Sequence, residues 1–102
     1  MGREDESKVG EQVIRLDGVF DGPAARRVEA ELARARPGAR FRIDLTHIRE
    51  FHDFGVMVLA NAVTRCPVMV ALRGLRTHQI RLLRYFGVSA AALEPAPVVE
   101  VA

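Results

Sequence analysis

An α/β fold, with helices packed on a small, mixed and mostly parallel β-sheet, is what this sequence predicts, and three features of its patterning carry that expectation. Phe41, Ile43 and Leu45 alternate with polar residues, the period of a half-buried strand. Val56, Leu59, Ala60 and Val63 recur at i, i+3, i+4 and i+7, one face of a helix. Beyond the first strand, strand-like and helix-like stretches alternate along the chain, the order expected of parallel strands joined by crossover helices.

In chain order, residues 1–11 are mostly charged and form a tail or a short edge strand, with a single domain expected over 12–102. Gln12 to Leu16 reads as a strand, since Val13 and Ile14 are β-branched, and Asp17-Gly18 reads as a turn after it. A helix is predicted from about Pro23 to about Arg36, capped by Asp21 or Gly22, with Pro23 suited to its first turn and Pro37-Gly38 stopping it. Ala25, Val28, Leu32 and Ala35 line its inner face. The strand from Arg40 to Leu45 is followed by a polar turn, Thr46 to Glu50, and then by a helix from about Phe54 to about Thr64. Val68 to Leu72 is short and β-branched enough to be a buried strand, ended by Gly74. The last helix is expected from about Thr77, a candidate cap, to about Phe86, with Ile80 and Leu83 inward and Gly87 terminating it. Val98 to Val101 reads as a final edge strand, and Pro95 and Pro97 exclude regular helix before it.

At 102 residues the chain fits one domain with one core. Hydrophobic residues make up 49%, which favours a packed fold over disorder. A lone cysteine, Cys66, offers no internal disulfide and fits a reducing compartment. The charged N-terminus lacks the apolar core of a signal peptide, and no apolar run is long enough to span a bilayer, so a soluble cytoplasmic protein without membrane insertion is expected. A net charge of +2 gives no ground for nucleic-acid binding. The charge is uneven, however: residues 54–93 hold Arg65, Arg73, Arg76, Arg81 and Arg84 and neither aspartate nor glutamate. A solvated helix face explains most such surfaces, and an anionic partner is the sharper alternative.

Catalytic and cofactor signatures are missing from the sequence. Neither the dinucleotide glycine pattern nor the phosphate loop occurs. His47, His52, Asp53 and Cys66 match no standard zinc spacing, so no metal is expected. Ser7 and Ser89 lie in poor contexts for a nucleophile, and Cys66, followed by Pro67, shows no activating partner in the sequence. The expectation is a protein that is not an enzyme and carries no cofactor.

The strand-to-helix junction, Phe51-His52-Asp53-Phe54-Gly55, is the stretch with mechanistic content. A helix start presents unpaired N–H groups and partial positive charge, which favour an anion. Asp53 stands there, placed to cap the helix; ordinary capping needs no function to explain it. Phe54 either packs inward beside Phe51 or stands exposed as an interface anchor.

Over about Gln12 to Val88 the chain resembles STAS domains, the module shared by sulfate transporters and anti-sigma factor antagonists. The resemblance lies in Gly18-Val19-Phe20-Asp21, a Gly-x-x-Asp turn; Asp44-Leu45 at a strand end; Phe51 to Gly55 on the family's Asp-Ser-Ser/Thr-Gly-like loop; Val70 to Gly74; and Leu82 to Val88, an apolar helix ending in Gly-Val. It implies a regulatory protein-protein interaction module in signalling and transcription. In the antagonists a serine of that loop is phosphorylated by a partner kinase that is also the anti-sigma factor, and the phosphate blocks binding. Counted without a gap from Asp44-Leu45, His52 takes the usual Asp position and Asp53 the phosphorylatable one; a slip of one residue instead places Phe54 on the serine. No serine is present in either register, so Asp53 is a phosphomimetic candidate or a plain cap.

The resemblance points to His52, Asp53, Phe54, Gly55 and Met57 as partner-binding residues, toward an anti-sigma kinase, a larger sensory assembly or a transporter ATPase. It also permits a small-anion or nucleotide site, for which Arg49, Arg73 and Arg76 are the candidates.

Overall fold

The computed structural model describes residues 11–66 and 68–95. Four strands alternate with three helices: β1 (Glu11–Phe20), α1 (Gly22–Ala33), β2 (Arg40–Phe51), α2 (Asp53–Arg65), β3 (Met69–Leu75), α3 (Thr77–Tyr85) and β4 (Leu93–Pro95), with a short 3-10 turn at Ala90–Ala92 before β4. The strands lie side by side in sequence order, and every pairing among the described residues is parallel. The predicted strand at Val98 to Val101 and most of the N-terminal tail lie outside the described residues. Glu11, read as part of that tail, opens β1.

Burial follows the two periods seen in the sequence. Phe41, Ile43 and Leu45 are buried, whereas Arg40, Arg42 and Asp44, which alternate with them, are not. α1 packs on α2 and α2 on α3, so the three helices cover one face of the sheet. Between that face and the helices lies the core, which includes Val28, Leu32, Val56, Leu59, Leu72 and Leu83. The other face carries Arg15, Arg42, Asp44 and Arg73. There Thr46 donates to Asp44 Oδ1 through its backbone N–H, at 3.0 Å, and through its hydroxyl. These bonds, the hydroxyl's above all, hold the Asp44 carboxyl below its ordinary value against the opposing effect of burial, and Arg73 and Arg15 add to the lowering.

Three boundaries differ from the sequence reading, for one reason. Asp17-Gly18 is not a turn: β1 runs on through it to Phe20, with register shifts against β2 on either side of the pair. Thr46 to Glu50 is not a turn either but the second half of β2. Gly74 does not end β3; it sits at a third register shift, this one against β4, with φ +88°. A Cβ there would lie 2.5 Å from the Thr46 backbone nitrogen, so β2 and β3 approach at a spacing that glycine alone admits. Glycine in the left-handed region serves a turn or a bulge equally well, and the neighbouring strand decides which.

The helix starts differ in kind. Of the two expected candidates, Asp21 caps α1, accepting from the Ala24 N–H at 3.0 Å, and Gly22 is the first helical residue. α1 ends at Ala33, earlier than predicted, leaving Ala35 half-buried beyond it. Thr77 does not cap α3 but is its first helical residue; Arg76 holds the cap position without a side-chain bond.

Candidate functional site

The carboxyl ends of β1, β2 and β3 deliver the three helix starts to one edge of the sheet, where ligands and partners meet parallel α/β sheets. His52 N–H donates to Phe20 O at 2.9 Å, fixing the end of β2 beside the end of β1. α2 begins immediately afterwards, and Val56 N–H closes its first turn on His52 O at 3.1 Å.

Asp53 is the first residue of α2 rather than its cap. His52 holds the cap position, and its side chain makes no cap bond. The Asp53 carboxylate instead lies 3.2 Å from His78 Nε2 on α3, and both side chains are exposed. The charge still stands in the first turn of α2, where the helix dipole favours it. His52 turns back to Glu50, Nε2 to Oε2 at 3.0 Å.

Phe54 stands outward, 54% exposed. Its ring lies over Gly22 at the start of α1, where a Cβ would meet ring carbons at 3.0 Å. Phe51 takes the inward role, packing against Phe20 with ring centroids 6.1 Å apart. Gly55 is buried against the β1–α1 connection: a Cβ there would lie 2.7 Å from the Asp21 carbonyl carbon and oxygen. It shapes the site by letting α2 approach Asp21, and a partner cannot touch it. Met57 is half-buried one turn along. All five residues expected at the site therefore share the first turns of α2, with four of them accessible.

The three arginines considered for an anion each have neighbours of their own. Arg49 reaches toward Gly18 on β1. Arg76 donates to Ile48 O at 3.4 Å and sits over the Phe51 ring, 6.0 Å from its centroid. Arg73 pairs level with Asp44, five positions earlier on β2 than Arg49. His78 is the site residue that sequence reasoning missed. Nothing local marks it, because its partner lies 25 positions away.

The family model described as "Mlab, STAS domain" matches residues 4–99, nearly the whole chain. This chain belongs to the STAS domain family. A solved structure with the same fold is the STAS domain of a SulP transporter from Vibrio cholerae, at a TM-score of 0.62 and 16% sequence identity, over 85% of this chain and 74% of that one. No curated protein matches the sequence. Of the motifs that carried the resemblance, Gly18 to Phe20 close β1, Asp21 caps α1, and Asp53 is the first helical residue of α2. Among the described residues no helix is long and apolar enough to cross a membrane, and no cluster of metal-ligating side chains occurs.

Proposed function

We propose that this STAS domain is a non-enzymatic, cytoplasmic regulatory module that docks a protein partner through the first turns of α2, in the manner of an anti-sigma factor antagonist. The observation that carries the reading is Phe54: a phenyl ring stands 54% exposed beside a carboxylate, at the edge where the helix starts converge. Exposed aromatics flanked by polar groups are the usual anchors of protein interfaces. Asp53 supplies about one fixed negative charge where the antagonists carry a reversible phosphoserine of roughly 1.5 to 2 charges. That charge falls short of a phosphate in both size and magnitude, so on this reading the module docks its partner without a phosphorylation switch at this position.

The test is capture of partners from the native cell by wild-type chain, Asp53→Ser and Asp53→Ala. A co-captured serine kinase that phosphorylates Asp53→Ser, and whose binding is then lost, supports the antagonist reading. A kinase that leaves Asp53→Ser unmodified overturns it. A second reading, a STAS subunit of a transporter or sensory complex, uses the same surface, and the SulP transporter domain that shares this fold makes it worth the same experiment. Capture of a transport ATPase with no phosphorylation of Asp53→Ser supports that reading instead.

A further inference from the structure

We propose that the partner is an acidic protein surface, held along the outer face of α3 as well as at the first turn of α2; the inference rests on the docking reading above and names the chemistry of what docks. Arg81, Arg84 and Tyr85 stand at i, i+3 and i+4 on α3 and share its outward face, opposite the buried Gln79 and Leu83. Arg65 ends α2, and Thr64 and Gly87 bring the carboxyl ends of the two helices together. Residues 54–93 contain no aspartate or glutamate. Arg65, Arg81 and Arg84 join no ion pair among the described residues.

Compensation of the helix dipole accounts for Arg65 and Arg84, which sit in last turns. It does not account for Arg81 or for the aromatic pair beside it. Tyr85 is 82% exposed and meets Phe86 edge to face, with centroids 5.4 Å apart. Tyrosine and arginine together are the residues most enriched where interfaces concentrate their binding energy.

Tyr85 and the arginines thus stand toward the carboxyl ends of α2 and α3, and Phe54 stands at the amino end of α2 with its ring over the start of α1. By helix rise and interhelical spacing the two aromatics stand roughly 15 Å apart, within one ordinary protein footprint. An anionic bilayer would also attract the arginines, but the Asp53 carboxylate lies on the same surface, near Phe54, and would oppose it. A protein can match a patch of mixed sign; a uniform sheet of phosphates cannot.

The experiment is an NMR titration of the full chain with four probes: a synthetic amphipathic helix of glutamate and leucine, the same helix with lysine for glutamate, and vesicles of phosphatidylglycerol or of phosphatidylcholine. The glutamate helix is expected to shift the amides of Arg81, Arg84 and Tyr85 while the lysine helix and both vesicles do not. Its affinity is expected to fall about tenfold in Arg81→Glu/Arg84→Glu, and less in the Gln pair. The exposure of both side chains makes these variants compatible with folding, which a thermal melt checks. No binding of the glutamate helix, binding unchanged by charge reversal, or binding to phosphatidylglycerol alone overturns the inference. If the cellular partner is lost with Phe54→Ala but kept at full affinity by the charge reversal, the docking reading stands and the acidic partner does not. If neither change loses it, both fail.

Discussion

The Asp53 carboxylate stands 3.2 Å from His78 Nε2, so the first turns of α2 and α3 meet through side chains 25 positions apart in sequence. The negative charge at the head of α2 is consequently shared with a neighbouring helix rather than spent on capping its own. This pair is exposed at both members, with side-chain accessibilities of 64% and 67%. Exposed pairs of this kind contribute about 0–1 kcal/mol. Asp53→Ala and His78→Ala are therefore expected to leave the urea midpoint of unfolding within that range of wild type. A larger loss in either variant would show that the contact is structural rather than part of a docking surface.

Phe54 tests the docking surface directly. Its ring is half in solvent, so Phe54→Ala is expected to change stability by less than about 1.5 kcal/mol, well short of the roughly 3–5 kcal/mol for truncating a core phenylalanine. Partner affinity is expected to fall by about 2 kcal/mol, roughly thirtyfold, as for a hot-spot aromatic. Phe51→Ala is the control: its half-buried ring packs on Phe20, so unfolding rather than binding is expected to register the change.

Gly55 and Gly74 mark two close backbone approaches. Alanine at 55 places a Cβ 2.7 Å from Asp21 backbone atoms, which the helix propensity gained does not offset, and a loss of roughly 1–3 kcal/mol is expected. At 74 the contact with Thr46 is 2.5 Å and the backbone is left-handed as well, so Gly74→Ala is expected to lose more, roughly 2–5 kcal/mol. Denaturant melts of both variants check the order.

Asp44 gives the fold a pH dependence of known sign. Its carboxyl is held below 3.8 by the Thr46 hydroxyl and N–H and by Arg73 and Arg15. A lowered folded-state value stabilises the protein above the unfolded value, and that contribution is lost as pH falls through the folded one. The stability difference between wild type and Asp44→Asn is thus expected to be constant near neutral pH and to shift against wild type as pH drops below about 4. Urea melts of the two chains across that range measure it, and parallel curves would contradict the assignment.

Much of this protein is legible in its sequence. The alternation at Phe41, Ile43 and Leu45 and the helical spacing of Val56, Leu59, Ala60 and Val63 are local patterns, and burial followed both. Asp21 as the cap of α1 and the start of α2 within one residue of Phe54 were likewise readable from neighbours in sequence. The STAS membership was carried by the same short motifs in the same order.

What tertiary structure alone decided is of another kind. Gly18 and Gly74 looked like strand ends and proved to be irregularities inside longer strands, because the adjacent strand's hydrogen bonds, not the glycine, determine whether the chain turns or continues. Phe51 and Phe54 were interchangeable by composition; the position of Phe20 drew one inward, and the close approach of α2 to Asp21 and Gly22 left the other outside. His78 reached Asp53 because consecutive parallel crossovers return each strand to the same edge and bring successive helix starts together. Local periodicity encodes which way a side chain faces, and a site assembled from three helix starts depends on where the chain comes back.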